Sequence, residues 1–127
     1  MIQLKTYEPE KHEEMLKTWL DQWKLSHKVI DILPTTGWII EDIAALFVYE
    51  TNSKICFIEC MISNKKMDKE VVNHALDILV KSTIINMRGK GYKYIGANTT
   101  YKSVVDRAKK HGFTVNPESY SYFARAL

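Results

Sequence analysis

Glu59 stands inside an otherwise apolar stretch, Ile55–Ile62, between Phe57 and Met61. Alternate residues of an extended strand share a face, so these three side chains are expected to project together. A carboxylate in such a setting is disfavoured as an anion and its pKa rises, which suits a general base. The other reading is a glutamate at a strand edge or paired with a lysine. Lys65, Lys66 and Lys69 follow shortly after, and the second half of the chain is the more cationic half. That charge suits an acidic or phosphorylated ligand, or an ordinary solvated helix surface. Cys56 and Cys60 lie four residues apart. On one strand that is roughly 13 Å, beyond disulfide reach, so both thiols are expected reduced. No histidine is placed to activate Cys60 as a nucleophile. His12, His27, His74 and His111 show no zinc-type spacing, so no metal centre is expected.

The elements that must position these residues follow from periodicity. Ile2–Thr6 alternates as a short strand, and Pro9 opens a helix with Glu8 and Glu10 at its positive end. Met15, Leu16, Trp19, Leu20 and Trp23 recur at helical spacing and predict a buried face. Leu25–Ile32 is ambiguous and fits a second short helix; Leu33–Gly37 is a loop. Trp38–Ile40 is strand-like. Ile43–Tyr49 and Ile55–Ile62 are apolar on both faces, as in the middle of a covered sheet, and Asn52-Ser53 between them signals a hairpin. Asp68 caps a long helix to about Arg88, whose apolar stripe is Val71, Val72, Ala75, Leu76, Leu79, Thr83 and Met87. Asp77 and Lys81 form a favourable pair on its opposite face, and Gly89 and Gly91 end it. Tyr92–Ala97 reads as a strand, and Thr99 or Thr100 starts a helix through His111 that Gly112 stops. Phe113–Val115 and Tyr120–Ala126 read as closing strands joined at Asn116-Pro117-Glu118.

This order resembles the GNAT acyl-CoA transferase superfamily. The likeness rests on the apolar hairpin Ile43–Ile62 leading through a short loop into the long helix. It rests also on the strand after Gly91 and on the helix closing in Lys109-Lys110-His111-Gly112-Phe113. The chain is also similar to small GNAT-like proteins of bacteriophages, through Leu33-Pro34-Thr35-Thr36-Gly37-Trp38, Ala44-Ala45 and Ser63-Asn64. The resemblance implies one domain of α/β (α+β) class: a mixed, mostly antiparallel central sheet flanked by helices. It implies acetyl-CoA in the cleft between the strands Ile55–Ser63 and Tyr92–Ala97. There the fourth strand splays and its freed backbone at Met61, Ile62 and Ser63 meets the pantetheine arm, with Asn98 nearby. In the family an Arg-Gly-x-Gly-x-Gly/Ala loop wraps the pyrophosphate at a helix N-terminus. Here Met67 stands for the arginine, and Asp68, Glu70 and Val72 for the glycines. Side chains of Lys65, Lys66 and Lys69 would have to supply the charge instead. Glu59 matches the family's base. The acid tyrosine's position holds Ala108, which leaves Tyr101 as a substitute; Tyr120 and Tyr122 read as structural.

The 127 residues, 46% hydrophobic, fit one domain with a real core. No run approaches the ~18 apolar residues of a membrane span. The start of the chain carries no apolar signal region, so the cytoplasm is the expected location, a host's if the chain is phage-encoded. A net charge of +3 with no nucleic-acid motif makes nucleic acid an unexpected partner, despite the cations from Arg88 to Lys110. Two readings remain open. One is an acetyl-CoA-dependent N-acetyltransferase with an atypical loop, acting on a small-molecule or protein amine. The other is a catalytically inactive GNAT-like module that holds a protein partner. Tyr120–Leu127 is an apolar segment suited to a homodimer contact.

Overall fold

In a computed structural model, which describes residues 3–99, 101–115 and Arg125, the apolar hairpin becomes the middle of a covered sheet. The described elements run β1 (Leu4–Thr6), α1 (Pro9–Gln22), a 3-10 helix (His27–Ile32), β2 (Gly37–Ile40), β3 (Ala44–Tyr49) and β4 (Ile55–Ser63). They continue with α2 (Lys69–Gly89), β5 (Tyr94–Ala97) and α3 (Lys102–Lys110). The strands lie in the order β1-β2-β3-β4-β5, antiparallel except for β4 and β5, which are parallel. The parallel pair is possible because the whole of α2 crosses over between them. The mixed, mostly antiparallel sheet flanked by helices is the expected fold class.

β3 shows why its sequence is apolar at every position. Ala44, Leu46 and Val48 pack with Ala75, Leu79, Val80 and Met87 of α2. Ala45 and Phe47 pack with Leu16, Trp19 and Leu20 of α1 on the other face. Each face of the strand is therefore a core, and alternation of polarity has nowhere to appear. Pro9 occupies the first turn of α1 as expected, and Asp68 caps α2 by accepting from the Glu70 amide at 2.8 Å. The long helix ends one residue later than expected. Gly89 is its last residue, Lys90 caps it, and Gly91 turns at φ +96°, a conformation that costs a side-chain-bearing residue.

Several expectations need correction. Trp23 is not core: it is 44% exposed, with its indole Nε1 donating to the Ser63 carbonyl at 2.8 Å. It sits past the last full turn of α1, where the chain is already leaving the sheet. Val71 is exposed as well, since the first turn of α2 overhangs the sheet. The ambiguous Leu25–Ile32 does hold a short helix, the 3-10 helix His27–Ile32, and contributes no fully buried residue. Phe113–Val115 lies in no strand among the described residues. The closing strand Tyr120–Ala126, Arg125 apart, and the turn Asn116-Pro117-Glu118 fall outside the described residues, as do Ile2 and Thr100.

Candidate functional site

The site begins with a register fault in β4. Phe47 pairs with Cys60 but Val48 pairs with Ile58, so Glu59 is an extra residue, a β-bulge. The bulge inverts which residues face which helix. Before it, Cys56 and Ile58 face the α2 core; after it, Met61 packs there, while Cys60 and Ile62 pack toward α1. Phe57 lies opposite Gly96, on the face away from Cys56. Phe57 and Met61 therefore point to opposite faces, and the apolar enclosure expected around Glu59 is absent. Glu59 is exposed.

The parallel pairing of β4 with β5 ends where the bulge begins. Ile58 opposite Ala97 is the last register pair; β4 continues to Ser63 while the chain turns away after Ala97 toward α3. The divergence opens a cleft of ≈ 360 Å³. Its walls are largely apolar, with Ile58 and Met61 from β4, Val80 from α2, and Val104, Ala108 and Phe113 from α3 and its end. Glu59, Cys60, Asn98, Thr99, Tyr101 and Arg107 add the polar edge. The tertiary structure thus brings together Glu59, Met61, Asn98 and Tyr101. It does not bring Ile62, Ser63, Lys65, Lys66 or Lys69 to the cleft wall. Ile62 is buried against α1, and the lysines stand on the exposed loop and first residue of α2. Ala108, at the family's tyrosine position, lines the cleft with a methyl group. Cys60 also lines it, with its thiol pushed up to about 11 by burial and, secondarily, by the Glu59 charge, which leaves it un-ionised and inert near neutrality.

One wall is held by an ion cluster that sequence reading missed. Asp77 does not pair with Lys81. Its Oδ1 accepts from Arg107 at 2.7 Å and its Oδ2 from Lys110 at 2.7 Å, while His111 Nε2 lies 2.9 Å from Oδ1. Arg107 also reaches the Asn73 carbonyl and side chain. Burial alone would raise the Asp77 carboxyl, but hydrogen bonds from Lys110, His111 and Arg107 hold it well below the usual carboxylate range. The cluster pins α3 to α2 across the mouth of the cleft. It also consumes two of the cations counted toward a nucleic-acid surface; Lys90 pairs with Glu50 and Lys102 with Asp106. The spacing Asn73, Asp77 against Arg107, His111 was a signal of two facing helix stripes, but nothing local said that they meet.

The loop from β4 to α2 answers whether a pyrophosphate fits as it does in the resembled family. The Lys65 amide donates to Gln22 Oε1 at 2.8 Å and the Lys66 amide to Asn64 Oδ1 at 3.1 Å. The Met67 amide donates to the Asn64 carbonyl, and the Glu70 amide to Asp68 Oδ1. Four backbone donors of this loop and helix start are thus already bonded inside the protein, two of them to Asn64 and one to the Asp68 carboxylate. Lys65 Nζ lies 5.0 Å from the centre of the Trp23 ring, a cation–π position. The cleft is a largely apolar slot, while the occupied amides and the Asp68 and Glu70 carboxylates disfavour a diphosphate on the loop.

A second concavity of ≈ 410 Å³ lies between the β3–β4 turn and Lys90–Tyr92. It is polar and its groups serve one another. Glu50 accepts from Lys90 and Tyr92, and the Thr51 amide donates to the Tyr92 hydroxyl. No helix among the described residues is long and apolar enough to cross a membrane, and no described cluster could hold a metal ion.

No family model matches the chain and no curated protein is similar to it in sequence. Solved structures are similar in fold. A transcriptional regulator from Bacillus halodurans C-125 superposes with TM-score 0.69 at 11% identity over 98% of this chain and 100% of its own. A GNAT family acetyltransferase from Streptococcus pneumoniae TIGR4 gives TM-score 0.61 at 12% identity, covering 99% and 100%. The aminoglycoside N-acetyltransferase AAC(6′)-Iy, in complex with CoA, gives 0.63 at 12% identity, covering 99% and 96%. With the splayed β4 and β5 and the bulge at Glu59, these likenesses show that the chain has the GNAT acetyltransferase fold.

Proposed function

We propose that this chain is an acetyltransferase-like protein that takes the pantetheine thioester of acetyl-CoA into the β4–β5 cleft and delivers the acyl group to an amine. The observation that carries this is the divergence of the two strands at the Glu59 bulge, which opens an apolar slot with a carboxylate on its rim. The thioester, when bound, supplies the electrophilic acyl carbon. Glu59 is placed to accept the proton an attacking ammonium must lose. β4 beyond Ile58, where its register with β5 ends, and the side chain of Asn98 are the polar contacts offered to the arm's amides. Tyr101 stands at the same cleft, 72% exposed, as the donor candidate for the leaving thiolate. Lys65, Lys66 and Lys69 would meet the phosphate end only through exposed side chains outside the cleft wall, whose charge salt screens.

A second reading, a GNAT-shaped module without catalysis that holds a protein partner, is favoured by two observations. Asp68 caps the helix where phosphate would sit, and Ala108 replaces the acid tyrosine. Calorimetry with acetyl-CoA separates the readings. Saturable heat that a cleft-filling Ala108→Phe variant loses supports the first. No heat at millimolar ligand removes it and leaves the second.

A further inference from the structure

The cleft and the loop after it make opposite offers to the two ends of acetyl-CoA. The cleft is an apolar slot suited to an extended, uncharged arm. The loop offers an anion little: the Lys65, Lys66, Met67 and Glu70 amides are already occupied, and the Asp68 and Glu70 carboxylates flank its helix end. Gln22 reaches from α1 to bond both the Lys65 amide, at 2.8 Å, and Asn64 Oδ1, at 3.0 Å. Asn64 in turn accepts the Lys66 amide and donates to the Asp42 carbonyl at 3.0 Å. Asp68 occupies the Glu70 amide, and the two carboxylates of Asp68 and Glu70 stand at the positive end of α2, where they already satisfy its dipole. A diphosphate arriving there would displace internal bonds and meet like charge. Charge on Lys66 and Lys69 is exposed and screened by salt.

We infer that the chain selects its acyl donor by the pantetheine arm and not by the nucleotide diphosphate, so pantetheine thioesters without the nucleotide are its donors as readily as acetyl-CoA. This rests on the cleft reading above. The shared chemistry is an acyl thioester on pantetheine, whether its far end carries nucleotide, a single phosphate or nothing.

The test is calorimetric titration of the full chain with S-acetyl-pantetheine, S-acetyl-4′-phosphopantetheine and acetyl-CoA at 0.15 M salt. Dissociation constants within about tenfold of one another are expected. Acetyl-CoA binding more than tenfold tighter than S-acetyl-pantetheine overturns the inference while leaving the cleft reading intact. Binding of none of the three overturns the cleft reading itself, and this inference with it. Two variants sharpen the result. Asp68→Ala, which frees the Glu70 amide, is expected to tighten acetyl-CoA severalfold and leave S-acetyl-pantetheine unchanged; an equal effect on both overturns the blocked-loop argument. The Lys65/Lys66/Lys69 triple alanine variant is expected to change acetyl-CoA binding less than about threefold, and a loss of tenfold or more overturns the inference. Circular dichroism on each variant confirms that the fold is retained.

Discussion

Replacing Asp77 by asparagine keeps the shape of the side chain and removes the charge on which Arg107, Lys110 and His111 converge. The magnitude follows from exposure. Lys110 is 63% exposed, so its pair with Asp77 contributes about 0–1 kcal/mol. Arg107 and His111 are 15% and 5% exposed and share one Asp77 oxygen. Their joint contribution falls in the range of about 1.5–3 kcal/mol for hydrogen bonds to a charged group. Together the loss at neutral pH is expected to be about 1.5–4 kcal/mol. With a urea slope of about 1.5–2 kcal/mol per M, the unfolding midpoint falls by about 1–2.5 M. The pH dependence has a definite sign. The carboxyl is held below its unfolded value of about 4. Its stabilisation is therefore complete above about pH 4 and is lost as pH falls through the lower folded value. Urea unfolding of Asp77→Asn beside the parent chain at pH 7, 5 and 3 should show a gap that is full at the first two and narrower at the third. A gap under about 0.5 kcal/mol at pH 7, or one that widens from pH 5 to pH 3, would refute the assignment of Asp77 as the anchor of α3.

Other expectations follow from the same geometry. Glu59→Gln should leave donor binding unchanged and lower turnover of an accepted amine by about 10²–10⁴, read in steady-state kinetics; unchanged turnover removes Glu59 as the base. Ala108→Phe should fill the cleft, abolish thioester binding and cost under about 1.5 kcal/mol of stability, because the added ring enters open space. Cys60 should resist iodoacetamide at pH 7, with only about one thiol in ten thousand ionised, and react appreciably only near its value of about 11; mass spectrometry of tryptic peptides gives the rate. Leu79→Ala, at a position wholly buried between α2 and the sheet, should cost about 2–5 kcal/mol by thermal or urea unfolding.

Much of the fold is written locally. The helical spacing of Leu16, Trp19 and Leu20, Pro9 in a first turn, Asp68 as a cap and Asn52-Ser53 between two apolar runs each depend on residues a few positions apart, and each element formed where they indicated. Even the absence of polar alternation in β3 was informative, because only a strand covered by helices on both faces can be apolar throughout. Trp23 shows the limit of such patterns: spacing says which face a residue shares, not whether the sheet extends far enough to cover it.

The site was less legible. Glu59, Met61, Asn98 and Tyr101 were picked from residue type and from resemblance, and all four line one cleft. Yet the environment around Glu59 was misread, because a single unpaired residue shifts side-chain parity. Whether a strand bulges is decided by its partner, here at Phe47 and Val48, and not by its own composition. The clasp of Asp77 by Arg107, Lys110 and His111 joins positions thirty or more residues apart, as does the bond that the Lys65 amide donates to Gln22. By itself the sequence determined the helices, the strands up to Ala97 and the hairpin, since those rest on local backbone preference. Only the tertiary structure decided where β4 bulges, where it parts from β5 and which amides remain free, since cross-strand register and side-chain reach exist only after the chain has packed.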